Sequence, residues 1–317
     1  MSYHTDYTAF LDRTPHAPRL RSWGKADSSG RIRATVAFDD LMHAQRFIAA
    51  DAFTSVSARD YWTAYCRGTC AKRPEFCGGV ATPAAWDAVV RDPGNALRQC
   101  VERCMERIDA MPVAFGDRPR RRTVRGLDEG DELDAVRMAQ DHNLDRAWSE
   151  RRMRSAVRPI MRVAMNAELS SGQGQTSIAW RGAVAMAIAR KAEAAGADVE
   201  LTWITVGHGT AADSGLRDVE MLATVPIKRI GQFADRDSLV AYFCHVASFR
   251  YFGFNLIAAL NPGATMFGWG TPMSLRHAGP EYHILIDMHD VNCESSARQM
   301  MDKAAGIVKA QMAAHGD

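Results

Sequence analysis

No stretch of the sequence approaches the roughly 18 consecutive apolar residues that a membrane-spanning helix needs. Residues 1–20 are polar and carry no signal-peptide core. Those two absences direct the expectation to a cytoplasmic protein with no membrane partner. Charge of one sign is also missing: 39 Lys and Arg against 37 Asp and Glu leave +2, so the global balance announces no polyanionic partner. The seven cysteines contain no Cys-x2-Cys knuckle, and an odd number without a signal reads as reduced thiols rather than a disulfide framework. Gly172-Gln173-Gly174 precedes a helical stretch but lacks the Gly-Lys-Ser/Thr ending that holds phosphate and Mg²⁺. Nucleotide hydrolysis is therefore not expected. No serine or cysteine sits in an elbow motif, and there is no internal repeat or low-complexity tract.

What is present is material for a core: 317 residues, 47% of them hydrophobic, with a length suited to about two domains. The clearest stretch is residues 158–206. Ile160 to Met165 is a short apolar run after a proline. A polar and glycine-rich loop, 168–177, leads into an alanine-rich helical stretch that stops at Gly196, and Val199 to Val206 is a second apolar run. Strand, helix and strand in that order predict a βαβ unit and a parallel sheet. Around it, residues 1–30 read as a loosely held arm and 31–115 as a mixed, mostly helical N-terminal region with one strand at 31–39. Residues 116–158 read as a charged connection, and 159–317 as the α/β domain. Gly207 to Gly215 reads as a loop. Leu222 to Ile230 reads as a strand that Pro226 pushes toward a sheet edge or a bulge. Asp237 and Ser238 are candidate caps for a helix reaching about Ser248, and 295–314 is helical by its apolar spacing.

Three stretches, WRGAVAMAIARKAEAAGADVEL, VPIKRIGQFADRDSLVAYFCHVASFRYFGF and GLDEGDELDAVRMAQDHN, resemble an uncharacterised family of phage-encoded proteins thought to contain a von Willebrand factor A-type domain. The likeness covers about residues 126–312. It implies a doubly wound, mostly parallel sheet in the C-terminal half. In metal-binding A-type domains the first strand ends in an aspartate followed by two alternating serines, and a later threonine and aspartate complete an oxygen-rich Mg²⁺ site. Here the corresponding residues are Asn166, then Ser170 and Ser171, with Asp287 and Asp290 at a later strand end. The first carboxylate is missing and the serine spacing differs, so a polar loop that has kept the fold and lost the ion stands beside the Mg²⁺ reading.

Other constellations stay open at this stage. Cys66, Cys70, Cys77, Cys100 and Cys104 supply enough thiolates for a structural Zn²⁺, with buried thiols as the alternative. His208, His283 and His289 lie near strand ends as acid–base material. The aromatic block 242–254 reads as core or as a stacking platform. Arg118, Arg120, Arg121, Arg122 and Arg125 form one basic run, and Arg146, Arg151, Arg152, Arg154 and Arg158 another; both suit phosphates or a solvated linker. The leading expectation is a non-enzymatic module that binds another protein through Ser171, Gln173, Thr176, His208 and His289. The alternative is a nucleic-acid-binding accessory factor using the two arginine clusters. No cofactor is expected beyond the Mg²⁺ or Zn²⁺ considered above.

Overall fold

Apolar runs bounded by glycine and proline become strands, and the alanine-rich stretches between them become helices. The computed structural model of the chain describes residues 3–24, 32–49, 72–116, 122–127, 132–133, 148–152, 158–170, 172–211, 216–232, 234–260, 275 and 281–315. The first elements are α1 (Tyr3–Arg13), β1 (Arg19–Trp23), β2 (Ile32–Ala37), α2 (Leu41–Ala49), α3 (Pro83–Arg91) and α4 (Asn95–Asp109). Three short strands follow: β3 (Arg122–Leu127), β4 (Glu132–Leu133) and β5 (Trp148–Arg152). Then come β6 (Ile160–Asn166), α5 (Gln175–Ala195), β7 (Asp198–Ala211), β8 (Leu216–Lys228) and α6 (Arg236–Cys244). A π-helical turn (Ser248–Gly253), α7 (Phe254–Leu260), β9 (Ile284–Ile286) and α8 (Glu294–Ala314) complete the order.

The protein is α/β, with a six-stranded sheet in the order β1-β2-β8-β7-β6-β9. The expected βαβ unit is there: β6 and β7 run side by side in parallel, from Ile160 opposite Asp198 to Asn166 opposite Ile204. α5 crosses between them and ends at Gly196, whose φ of 105° is the left-handed conformation that glycine adopts without strain. The sheet is mixed rather than mostly parallel. β2 with β8 and β6 with β9 are parallel, whereas β1 with β2 and β7 with β8 are antiparallel.

Several expectations change with this topology. The sheet is not confined to the C-terminal half, because β1 and β2 extend it beyond β8. Residues 3–23 are not a loose arm: Tyr7 and Leu11 are buried, and the Tyr7 hydroxyl donates to the Met221 sulfur at 3.6 Å. Much of the expected loop at 207–215 is strand, since β7 continues to Ala211 before β8 begins at Leu216. Pro226 lies on an interior strand, yet β2 runs out where Ala37 faces Thr224, two residues short of it. The missing N–H therefore falls where the ladder on that side has ended. The α6 cap comes from Asp235, whose carboxylate accepts from Ser238 N at 2.8 Å, two positions before the Asp237 that the sequence suggested.

One face of the sheet carries Val36, Met161, Val163, Val199, Leu201, Trp203, Ala223, Val225, Ile284 and Ile286, and these join a single core cluster with residues from every described helix. Among the described residues the helices thus lie on one side rather than winding around both. The other face has a small cluster, Ala164, Ile204, Val206 and Leu275, with Tyr282 and Leu285 against it. α3 and α4 share the large cluster, with Trp86 edge-on to Tyr242 at 5.1 Å, so the described part of 31–115 packs on the same core as the C-terminal half. The aromatic block is core as well: Tyr242, Phe243, Phe249, Phe252 and Phe254 are all buried. α5 lies at the centre of the helical layer, and Gly182 gives it room: a Cβ there would sit 2.3 Å from the Phe243 carbonyl oxygen.

Candidate functional site

β6 and β9 end side by side, so the residues leaving their carboxyl ends meet in one crevice, the usual place for a site on a parallel pair. Asn166 and Asp287 both arrive there, as the sequence suggested, and they bind each other: Asn166 Nδ2 donates to Asp287 Oδ1 at 2.8 Å. Asp287 Oδ1 also accepts from Met288 N at 2.8 Å, and its Oδ2 accepts from Leu275 N at 3.0 Å. Asn166 Oδ1 accepts from Glu168 N at 3.0 Å, and Glu168 Oε1 accepts from Val206 N at 2.8 Å. Asp290 Oδ2 accepts from Asp287 N at 2.8 Å. The acceptor oxygens that would ligate a hard cation are thus engaged by N–H donors.

A cation is nevertheless present, and it belongs to the protein. Arg181, in the first half of α5, is buried with Asn166, Glu168 and Asp287. One guanidinium nitrogen donates to the carbonyls of Asn166, at 3.0 Å, and Glu168, at 2.7 Å. The other donates to the carbonyl of Met288. Burial pulls the Arg181 pKa down to about 10, and the negative charges of Asp287, Asp290 and Glu168 oppose that pull. The side chain therefore remains charged near neutral pH. Burying a guanidinium is tolerable only with partners of this kind, because an isolated one costs several kcal/mol.

A second buried arginine fixes the loop between β6 and α5. Arg250, in the π-helical turn, donates to the carbonyls of Ser170, at 2.9 Å, Gln173, at 2.6 Å, and Phe76, at 2.7 Å, and lies 4.4 Å from the Phe76 ring centroid. Gln173 adds a bond from Ser170 N to its Oε1 at 3.1 Å and one from its Nε2 to the Met288 carbonyl at 3.3 Å. Irregular helical turns of this sort often mark functional positions, and here the turn aims a guanidinium at the loop. Ser170 thus contributes its backbone, and no ligand role for its hydroxyl emerges. Thr176, His289 and Asp290 stand exposed on the rim.

The match to known families can now be set beside this geometry. The model of a domain of unknown function, DUF7192, matches residues 33–314. The chain belongs to the DUF7192 family. No curated protein and no solved structure matches it. The DUF7192 match runs from β2 to the end of α8, so it takes in both arginines and every strand end of the crevice.

The remaining sequence candidates separate. Ser171, Cys66, Cys70, Arg118, Arg120, Arg121 and Arg154 lie outside the described residues. His208 is in β7 opposite Glu220. β3 pairs antiparallel with β5, which sets Arg122 opposite Arg152, Thr123 opposite Arg151 and Arg125 opposite Ser149. Two arginines from each of two separate sequence runs thus share one small sheet. Among the described residues no three His, Cys, Asp or Glu side chains are grouped to hold a metal, and no single helix is long and apolar enough to cross a membrane. Cys100 and Cys104 lie about one turn apart on α4, and their neighbour is Cys244 of α6. Burial, with the nearby Cys100, pushes the Cys104 thiol up to about 12, and burial pushes Cys244 well above its ordinary value. Such thiols are inert.

Cys293 is different. It is exposed at the start of α8, and its sulfur lies 3.2 Å from the Ser295 hydroxyl and 3.5 Å from that of Ser296. Those hydroxyls lower its pKa from 9.0 to about 7. Iodoacetamide is expected to alkylate Cys293 with a rate that rises through about pH 7 and levels above it, while Cys104 and Cys244 stay unmodified. Peptide mass mapping across a pH series checks this, and a rate still climbing at pH 9 would contradict it.

Proposed function

We propose that the chain is a non-enzymatic binding module on a von Willebrand A-like sheet, engaging another protein through the loops at the carboxyl ends of β6, β7 and β9. The parallel β6–α5–β7 unit, with β9 beside β6 and ending in Asp287, supports the A-type arrangement. One observation carries the functional reading: a buried arginine and a set of N–H donors fill the crevice where a metal or a reacting group would sit. The loop above it is held by Arg250, as a recognition platform requires. No resident cofactor is needed for that role.

The test is capture from a cell lysate by wild-type protein and by the rim variant Thr176→Arg/His289→Glu, with melting temperatures measured alongside. A protein retained by the wild type and lost with the rim variant, at unchanged melting temperature, is the expected result. Equal retention by both would overturn the reading.

A second reading, nucleic-acid binding, is favoured by the register of β3 with β5. That register brings arginines of both sequence runs into one small sheet, a local basic concentration of the kind that a phosphate backbone neutralises. Salt-dependent binding of DNA or RNA that Arg122→Ala/Arg152→Ala weakens would select it, and neutrality toward nucleic acid at low salt would discard it.

A further inference from the structure

At the opposite end of the sheet a cavity of about 580 Å³ opens, within the size range of small-ligand sites. Glu200 on its wall and Val206 near the crevice are six residues apart on β7, about 20 Å at the usual strand rise. The site is therefore independent of the crevice and of the function proposed for it.

Its charged lining is unbalanced. Arg19 pairs with Asp39, Arg21 with Glu281 at 3.3 Å, and Glu200 with Arg162 at 3.6 Å. Every carboxylate at the rim thus has its own arginine, and Arg229 is left over. Arg229 donates to the backbone carbonyl of Asp39, a neutral partner, and among the described residues it pairs with no carboxylate. The Asp39 carboxyl is held below its ordinary value first by the Arg19 hydrogen bond, with His43 and Arg229 adding to the pull. The lining thus holds three arginines, Arg19, Arg21 and Arg229, against two carboxylates, Asp39 and Glu200.

Beside the charge lies apolar surface. Leu20 and Pro226 line the cavity, and Ile230 is 40% exposed at its edge, one of few large aliphatic side chains so exposed among the described residues. A tight turn holds cation and hydrophobe together: Gln232 N donates to the Arg229 carbonyl at 3.1 Å, and Gly231 takes a φ of 72° that favours glycine. The neighbouring ion pairs are exposed and individually weak, so an incoming anion can draw on Arg19 or Arg21 at small cost.

We propose that this cavity binds an amphipathic organic anion, its carboxylate or phosphate on Arg229 and its apolar body against Leu20, Pro226 and Ile230. The complementarity is that of a single oxyanion head, which a guanidinium grips through two parallel hydrogen bonds. The probe is 8-anilinonaphthalene-1-sulfonate, an aromatic oxyanion, titrated by fluorescence into the full chain. Wild type is expected to give saturable enhancement that Arg229→Ala and Ile230→Ser each weaken about tenfold, consistent with loss of one charge-assisted contact or one apolar wall. Both positions are exposed, so melting temperatures should hold. Displacement by decanoate assigns a carboxylate ligand, and displacement by adenosine monophosphate assigns a phosphate. No saturable enhancement, enhancement that neither variant weakens, or displacement by neither competitor overturns the proposal.

Discussion

Replacing Arg181 with methionine is expected to lower the unfolding free energy by about 3–5 kcal/mol, the cost of breaking a buried charge pair from one side. Methionine fills similar space, so packing alone does not account for a loss of that size. What disappears is the donor to the carbonyls of Asn166, Glu168 and Met288, and a positive charge that the buried Glu168 and Asp287 face. Urea denaturation of both proteins measures the difference. Adding Glu168→Gln to the methionine variant should recover part of the loss, because the amide oxygen still accepts from Val206 N and one uncompensated charge is removed. A loss under about 1 kcal/mol, within the range of surface substitutions, would show that the guanidinium contributes little.

Acid is expected to destabilise the protein through His245. Burial lowers its pKa from 6.5 to about 4, and its Nδ1 accepts from Ala247 N at 3.0 Å, a bond that only the unprotonated nitrogen makes. Because the folded value lies below the unfolded one, the unfolded chain takes up the proton first as pH falls. Stability that is fully present above pH 6.5 is lost progressively down to about pH 4, by about 3 kcal/mol in total. In the His245→Asn variant the side-chain oxygen stands near the Nδ1 position and does not titrate. The difference in stability between wild type and variant should therefore shrink or reverse from pH 7 to pH 4.5, inside the window that the two pKa values define. A difference that stays constant across that range would contradict the assignment. The ring also packs where Gly78 leaves room, since a Cβ at Gly78 would come 2.5 Å from His245 Cε1.

Much of the fold was legible where neighbours in sequence are neighbours in space. The β6–α5–β7 unit follows from two apolar runs, an alanine-rich stretch and the Gly196 stop, all local signals. The partners of β2 were not legible. It pairs with β8 almost 190 residues away, and nothing in a short window specifies that register. The first residues of β8, Leu216 to Glu220, carry three charges in five positions and give no strand signal, although β7 pairs with them.

The site was legible by position and not by chemistry. Asn166 and Asp287 read from the sequence as residues at strand ends, which is where they lie, but Arg181 and Glu168 carry no role in that reading and Arg250 enters it only with the aromatic block. A signal existed for Arg181. From Ile178 to Ala189 α5 is apolar all round apart from Arg181, and a helix of that kind is buried, so the one charge within that stretch must also be buried and must be paired. Arg250 offers less, because an arginine among aromatics fits a surface face as well as a core. Only the break into a π-helical turn directs it toward the 170–173 loop.

Calorimetric titration of Mg²⁺ into the full-length wild-type protein tests most directly whether the crevice is closed by the protein's own cation. The expected result is no saturable heat and no rise in melting temperature at millimolar Mg²⁺, because Arg181 and the N–H donors already occupy the oxygens of Asn166, Glu168 and Asp287. A stoichiometric binding isotherm that Asp287→Asn abolishes would contradict it.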